Sequence, residues 1–271
     1  PPYSFDLSYG MGDFSLTTDQ TKFYHEQGYL GPFRLCDEAH ILALKESITS
    51  LFSKSNIANA NEPKIATISQ LDPLKQLGFG RHHDTPFLYQ LITRSEVLDR
   101  VASILGEDLL LWRSMFFVKD IGEKRIPWHQ DLDDWPIEPF LALSVWIAID
   151  ETTAENGCVE IIPGSHRNYI NIVPSPDDVL EGFPHMADPA CFDENTKVKM
   201  TLKPGEFFIF NERLLHQSAS NRSSQRRTGL AVRFIPPMVR ILDEHDKPVL
   251  VNGQDKMHFN TLVPPPLDIR S

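Results

Sequence analysis

After Gly106 the sequence stops repeating at helical spacing and breaks into short runs rich in β-branched and aromatic residues, each bounded by Gly, Pro or Asp. The runs are Leu109 to Val118, Phe140 to Ile149, Cys158 to Ile162, Val198 to Leu202, Glu206 to Phe210 and Thr228 to Phe234, with a further pair near Val239 to Leu242 and Val249 to Val251. Each has the length of a strand, and many short strands in succession favour a sandwich or a barrel. Before Gly106 the periodicity is helical. One helix starts at Thr17 or Thr18 and stops at Gly28. Ile41, Leu42, Leu44, Ile48, Leu51 and Phe52 mark a second from Asp37, and Val97, Leu98, Val101, Ile104 and Leu105 a third over 95–105. The reading is α+β and mainly β, with helices first and packed on one side of the strands. Between His166 and Thr196, Pro174, Pro176, Pro184 and Pro189 interrupt a stretch with no sustained period. A loop of that length predicts a lid over a site.

The charge balance narrows the partners. With 26 basic and 37 acidic residues the formal net charge is −11, so binding to nucleic acid or to an anionic membrane would work against the field of the whole chain. No apolar run approaches the length of a membrane span, and PPYSFDLSYG lacks the basic and apolar parts of a signal peptide. Cys36, Cys158 and Cys191 are odd in number and widely spaced, which fits neither a disulfide framework nor a zinc ribbon. The expectation is a cytoplasmic protein, monomer or homodimer, that acts on a small-molecule substrate.

Chemistry enters with WHQDLDDW at 128–135. On an extended segment, residues two apart share a face, so His129 and Asp131 aim an imidazole nitrogen and a carboxylate oxygen at one point. A third ligand is offered by His216, placed just past the end of the apolar run Phe207 to Phe210. Two histidines and one carboxylate on one face of a metal leave three positions open, the facial triad of non-haem Fe(II) oxygenases, in which a bidentate 2-oxo acid and O2 both bind the iron. The far carboxylate of the oxo acid needs a fork of donors, and Arg227, at the head of a strand, is placed to provide it. The same three ligands could hold zinc and a water for hydrolysis, which would need no Arg227. A non-catalytic binding protein is a further alternative.

WHQD at 128–131, Trp146 within LSVWIAID, IIPGSHR at 161–167, GEFFIFNERLLHQSASNRSSQRR at 205–227 and the following Ala231-Val232-Arg233-Phe234 resemble the phytanoyl-CoA dioxygenase family of Fe(II)/2-oxoglutarate oxygenases over about residues 18–240. The resemblance implies a double-stranded β-helix, or jelly-roll, with N-terminal helices on the larger sheet. It implies one domain over 1–271: a helical part at about 18–106, a core at about 107–242 and a lid insert at about 166–196. It implies Fe(II) as cofactor, 2-oxoglutarate and O2 as co-substrates, and release of succinate and CO2. His129, Asp131 and His216 match the iron ligands. Arg227 matches the arginine that pairs with the 2-oxoglutarate C5 carboxylate, Trp146 an aromatic of the same pocket, and Ser218 and Asn221 its wall. Similar halogenases carry Ala or Gly where Asp131 stands, so hydroxylation of a natural-product intermediate is the expectation, with desaturation or epoxidation as alternatives.

Further candidates follow from pattern alone. Arg113, Phe117 and Lys119 share one face of a strand with Leu111 and Met115, and charges on an apolar face call for an anion or a substrate group. Asp133, Asp134 and Trp135 follow the second ligand and would meet a substrate at the mouth. His83 lies in the helical third within Gly80 to Asp84, and Arg233 shares the face of Arg227, where it contacts substrate or pairs with an acid.

Overall fold

The computed structural model describes residues 13–47, 78–131 and 135–266. A helix over Thr18–Gln27 begins in a capping box: the Thr17 hydroxyl accepts from Gln20 N–H, and the Gln20 side chain accepts from Thr17 N–H. Gly28 ends it in the left-handed conformation (φ 80°). Residues 38–47 are helical, and the expected continuation to Phe52 lies outside the described residues. The third expected helix is present over Ser95–Leu105, ahead of Gly106. A helix over Pro86–Ile92 escaped the sequence reading because at seven residues it is too short to show a period.

Two sheets form the rest. The larger has the order Tyr29–Arg34 (β1), Glu206–Asn211 (β10), Leu143–Ala148 (β5), Arg227–Ile235 (β12), Leu109–Lys119 (β2) and Val249–Asn252 (β14). The smaller has the order Ile126–His129 (β3), His216–Ser218 (β11), Val159–Ile161 (β6) and Val198–Met200 (β9). Two short pairs stand apart, Arg240–Ile241 (β13) with Ile137–Glu138 (β4), and Ile172–Pro174 (β7) with His185–Ala187 (β8). All pairing in the two main sheets is antiparallel, and the chain crosses repeatedly between them, which is the double-stranded β-helix.

Alternation along the central strands builds two cores. Val145 and Ile147 of β5, Phe207 and Ile209 of β10, and Leu230 and Val232 of β12 face the helices, where they pack with Tyr24, Leu88, Val97 and Val101. Trp146, Phe208, Phe210 and Ala231 face inward, against Val159 and Ile161 of the smaller sheet. The register of β12 on β2 shifts between Arg233 and Phe234, which puts Leu111 opposite Phe234 on the helix side. Leu111 therefore leaves the inward face on which simple alternation placed it.

The proline-rich stretch is more ordered than its lack of period implied. It carries the β7–β8 hairpin and three 3-10 turns, Ser165–Arg167, Pro189–Cys191 and Glu194–Thr196. No helix among the described residues is long and apolar enough to cross a membrane.

Candidate metal centre

His129 ends β3, and Asp131 sits in the turn beyond it, held by Asp131 N–H donating to Glu212 O at 3.1 Å. The pair is thus joined by a strand end and a turn, not by alternation within one strand. His216 opens β11 rather than trailing β10, and it pairs in register with His129. The two imidazoles lie 4.2 Å apart between centroids. Asp131 Oδ1 stands 3.4 Å from His129 Nε2 and 3.8 Å from His216 Nε2. One donor atom from each residue falls within 4.8 Å of the others, the one such convergence of His, Cys, Asp and Glu among the described residues.

The tautomers are set by neighbours. His129 Nδ1 lies 2.8 Å from Pro127 O, and His216 Nδ1 lies 2.8 Å from Leu214 O. A carbonyl only accepts, so each Nδ1 carries the proton and each Nε2 lone pair is turned toward Asp131. Burial pushes the His216 imidazole down to about 4, helped by His129, so it is neutral at pH 7. Burial alone would raise the Asp131 carboxyl, but His216, Arg233 and His129 hold it well below the usual carboxylate range. Two imidazole nitrogens and one carboxylate, open on the cavity side, suit a divalent transition metal with exchangeable positions.

A cavity of about 390 Å³ extends from this triad. Arg227 lines it, only 2% exposed. Its guanidinium stands 5.4 Å from the Trp146 ring, and one Nη2–H donates to Gly157 O while Nε is buried without a partner. Burial brings Arg227 down to about 10, which leaves it cationic at pH 7. The adjacent Arg226 points outward to Asp120 at 2.8 Å. Ser218 lines the cavity with its hydroxyl unpartnered. Arg233 lines it from the other end of β12, with Nη2 3.1 Å from Asp131 Oδ2. Phe117 and Trp135 complete this side.

Three expected positions fall elsewhere. Asn221 does not line the cavity; its carboxamide donates to Lys119 O and Gln225 O and ties the loop ahead of Arg227. Arg113 stands opposite Arg233 in register, but Asp246 captures its guanidinium at 2.6 Å, outside the cavity. His83 packs on the His82 ring at 3.8 Å, also outside. Asp133 and Asp134 lie outside the described residues. His166 of IIPGSHR is buried against the helix end, near His25 O, and takes no part.

Sequence reasoning missed several parts of the wall. Phe183 meets the His129 ring edge-on at 5.4 Å and Phe210 meets His216 at 5.2 Å. Tyr169, Ile172 and Met186 also contribute, from the stretch read as a lid. Gly229 was missed too: a side chain there would collide with the Trp146 indole.

The phytanoyl-CoA dioxygenase (PhyH) family model matches residues 24–229. A phytanoyl-CoA dioxygenase of Arabidopsis thaliana is 27% identical over 257 residues, covering 82% of this chain and 89% of that protein. An ectoine dioxygenase of Sphingopyxis alaskensis is 24% identical, covering 77% of this chain and 72% of its own length. The solved structure of CytC3 with Fe(II) and alpha-ketoglutarate superposes with a TM-score of 0.71 at 25% identity, over 93% of this chain and 94% of that one. With the same β-helix, a convergent His-Asp-His set and a match over three quarters of its length, the chain belongs to the phytanoyl-CoA dioxygenase family of Fe(II)- and 2-oxoglutarate-dependent oxygenases.

Proposed function

We propose that this chain oxidises an unactivated C–H bond of a small metabolite, most simply by hydroxylation of a natural-product intermediate, with release of succinate and CO2. His129 Nε2, His216 Nε2 and Asp131 Oδ1 hold the iron, and Arg227 anchors the C5 carboxylate of 2-oxoglutarate. The observation that carries this reading is Arg227 itself. A guanidinium 2% exposed, with a buried N–H lacking an acceptor and no carboxylate bonded to it, is costly unless the cavity brings it an anion. Bound there, iron and the oxo acid supply the activation of O2, one oxygen atom going to the oxo acid as it becomes succinate and CO2 and the other to the substrate.

The residues of the chain do the rest. The two Nδ1–H bonds fix the histidine rings before anything binds, and Phe183 and Phe210 pack against them in T-shaped contacts. Trp146 fills the wall beside Arg227. Asp131 occupies the position that a halide would need at the metal, which favours oxygen transfer over halogenation.

The test is a titration of anaerobic, Fe(II)-loaded protein with 2-oxoglutarate, followed by screening small metabolites for stimulated succinate release and a product one oxygen heavier. Arg227→Ala should weaken 2-oxoglutarate binding by at least about tenfold, the scale of a lost charge-assisted hydrogen bond. Binding that is absent in the wild type, or unchanged in Arg227→Ala, refutes the reading. Activity that tracks bound zinc without 2-oxoglutarate would replace it with hydrolysis.

A further inference from the structure

Arg233 is the second guanidinium of the cavity, and it lies past the end of the family match at residue 229. It shares a face of β12 with Arg227, and six residues of strand put about 20 Å between their backbones. Arg227 belongs to the Trp146 end of the cavity, Arg233 to the Asp131 and Trp135 end. Two aromatic rings fix the Arg233 plane, Trp135 at 5.1 Å and Phe210 at 5.7 Å from its guanidinium carbon. Its Nη2 is occupied by Asp131 Oδ2. Its Nη1 is buried and has no partner.

A charged donor buried without an acceptor is costly, so the ligand that enters should bring one. The far carboxylate of the co-substrate is not that acceptor, because Arg227 holds it. Formal charge points the same way. With Fe(II) and 2-oxoglutarate in place, and among the described residues at the metal, Asp131 and the dianion would oppose the metal and the two arginines, which would leave one positive charge in excess. Lys119 and Glu123, which also line the cavity, add one charge of each sign, and Lys119 Nζ donates to Ser218 O and Ala219 O. Arg113, across the strand pair, is already matched by Asp246. The cavity wall is otherwise mostly apolar, with Phe117, Trp135, Tyr169, Ile172, Phe183 and Met186 alongside the polar Gln130, His185 and Gln217.

We propose that Arg233 is the residue that reads the primary substrate, and that this substrate is an apolar small molecule with one carboxylate, bound to Arg233 Nη1. The inference rests on the functional reading above. One guanidinium would then hold Asp131 Oδ2 with one arm, leaving Oδ1 to the metal, and the substrate with the other. The distance from substrate anion to metal is set by a single side chain.

The experiment uses protein loaded with Ni(II), which supports no turnover, and saturating 2-oxoglutarate. Affinities for benzoate, 3-phenylpropionate and indole-3-acetate are measured by calorimetry against those of the corresponding amides. The acids should bind about 10- to 100-fold more tightly. Arg233→Gln keeps a donor for Asp131 and should abolish that preference while 2-oxoglutarate still binds. Arg233→Lys, which keeps the charge and loses the fork, should lie between, and it carries the test if the glutamine variant does not fold. Arg113→Gln, with the same change of charge outside the cavity, should keep the full preference. Acids and amides that bind alike, a preference that survives Arg233→Gln, or one lost equally in Arg113→Gln overturns the proposal. Wild-type protein that fails to bind 2-oxoglutarate brings down the functional reading, and this inference with it.

Discussion

Gly229 of β12 lies directly under the indole of Trp146 on β5, so close that a single methyl group at Gly229 would overlap the six-membered ring. The contact governs the anchor of the co-substrate, because the same indole stands beside the Arg227 guanidinium. Gly229→Ala should therefore act twice. Overpacking costs about 1–3 kcal/mol of stability, read as a lower urea midpoint. The displaced ring should also weaken 2-oxoglutarate binding in titration. Unaltered stability together with unaltered 2-oxoglutarate affinity would show that Trp146 does not position the anchor.

Asn221 should matter for the loop rather than for the cavity. Its Nδ2 donates to Lys119 O at 3.1 Å and Gln225 O at 2.7 Å, and its Oδ1 accepts from Ser223 N and Oγ. Asn221→Ala takes the side-chain donor from the buried Lys119 O and removes the tie to Gln225 O, which keeps Ser223 Oγ, and should cost about 1–3 kcal/mol. The expected pattern is a clear loss of thermal stability with a smaller loss of 2-oxoglutarate affinity than Arg227→Ala gives. An Asn221→Ala protein of normal stability with 2-oxoglutarate affinity as low as Arg227→Ala would return Asn221 to the binding wall.

These cases show which parts of the molecule were legible in the chain. The central strands of the larger sheet, β2, β5, β10 and β12, and the helix over Ser95–Leu105 repeat long enough to display a period. The strands β3 and β11 do not, having four and three residues, although they carry His129 and His216. Those histidines were found through chemistry and family likeness instead. Asn221 and Arg113 were misplaced because motif position and strand parity fix a backbone location and not the partner a side chain finds, here Lys119 O and Asp246. The role of Gly229 is a property of distance to Trp146, which no local pattern records.

His82 should set part of the acid limit of stability. Its ring is fully buried, with Nδ1 2.7 Å from Ser114 Oγ and Nε2 unpartnered, and burial pushes it down to about 3. The folded pKa lies below the unfolded value near 6.5, so the unfolded chain binds the extra proton. The contribution is complete above pH 6.5 and is lost as pH falls toward 3. Between pH 7 and pH 5 the loss from this group is about 2 kcal/mol. His82→Asn, compared with wild type by urea unfolding at both pH values, should lose that much less. An equal loss in the two proteins would show that His82 is protonated in the fold or exchanges with water.

Glu212 works in the opposite direction. It follows β10, is 2% exposed, and has Oε2 buried without a partner. Arg213 Nε approaches Oε1 only to 3.9 Å. Burial pushes the carboxyl up to about 7 from a usual value near 4.5. The folded state therefore keeps the proton where the unfolded chain has lost it. This contribution is complete below pH 4.5, declines as pH rises, and is gone once pH passes 7. Its full span is about 3 kcal/mol, since each pKa unit is worth about 1.4. Wild-type stability alone cannot separate this slope from that of His82, because the two oppose each other between pH 4.5 and 6.5. The difference between wild type and Glu212→Gln can. The amide stays neutral throughout, so the variant should gain on wild type by up to about 3 kcal/mol between pH 4.5 and pH 7.5, measured by urea unfolding of metal-free protein. A difference that stays flat across that window would mean that Glu212 is ionised in the fold.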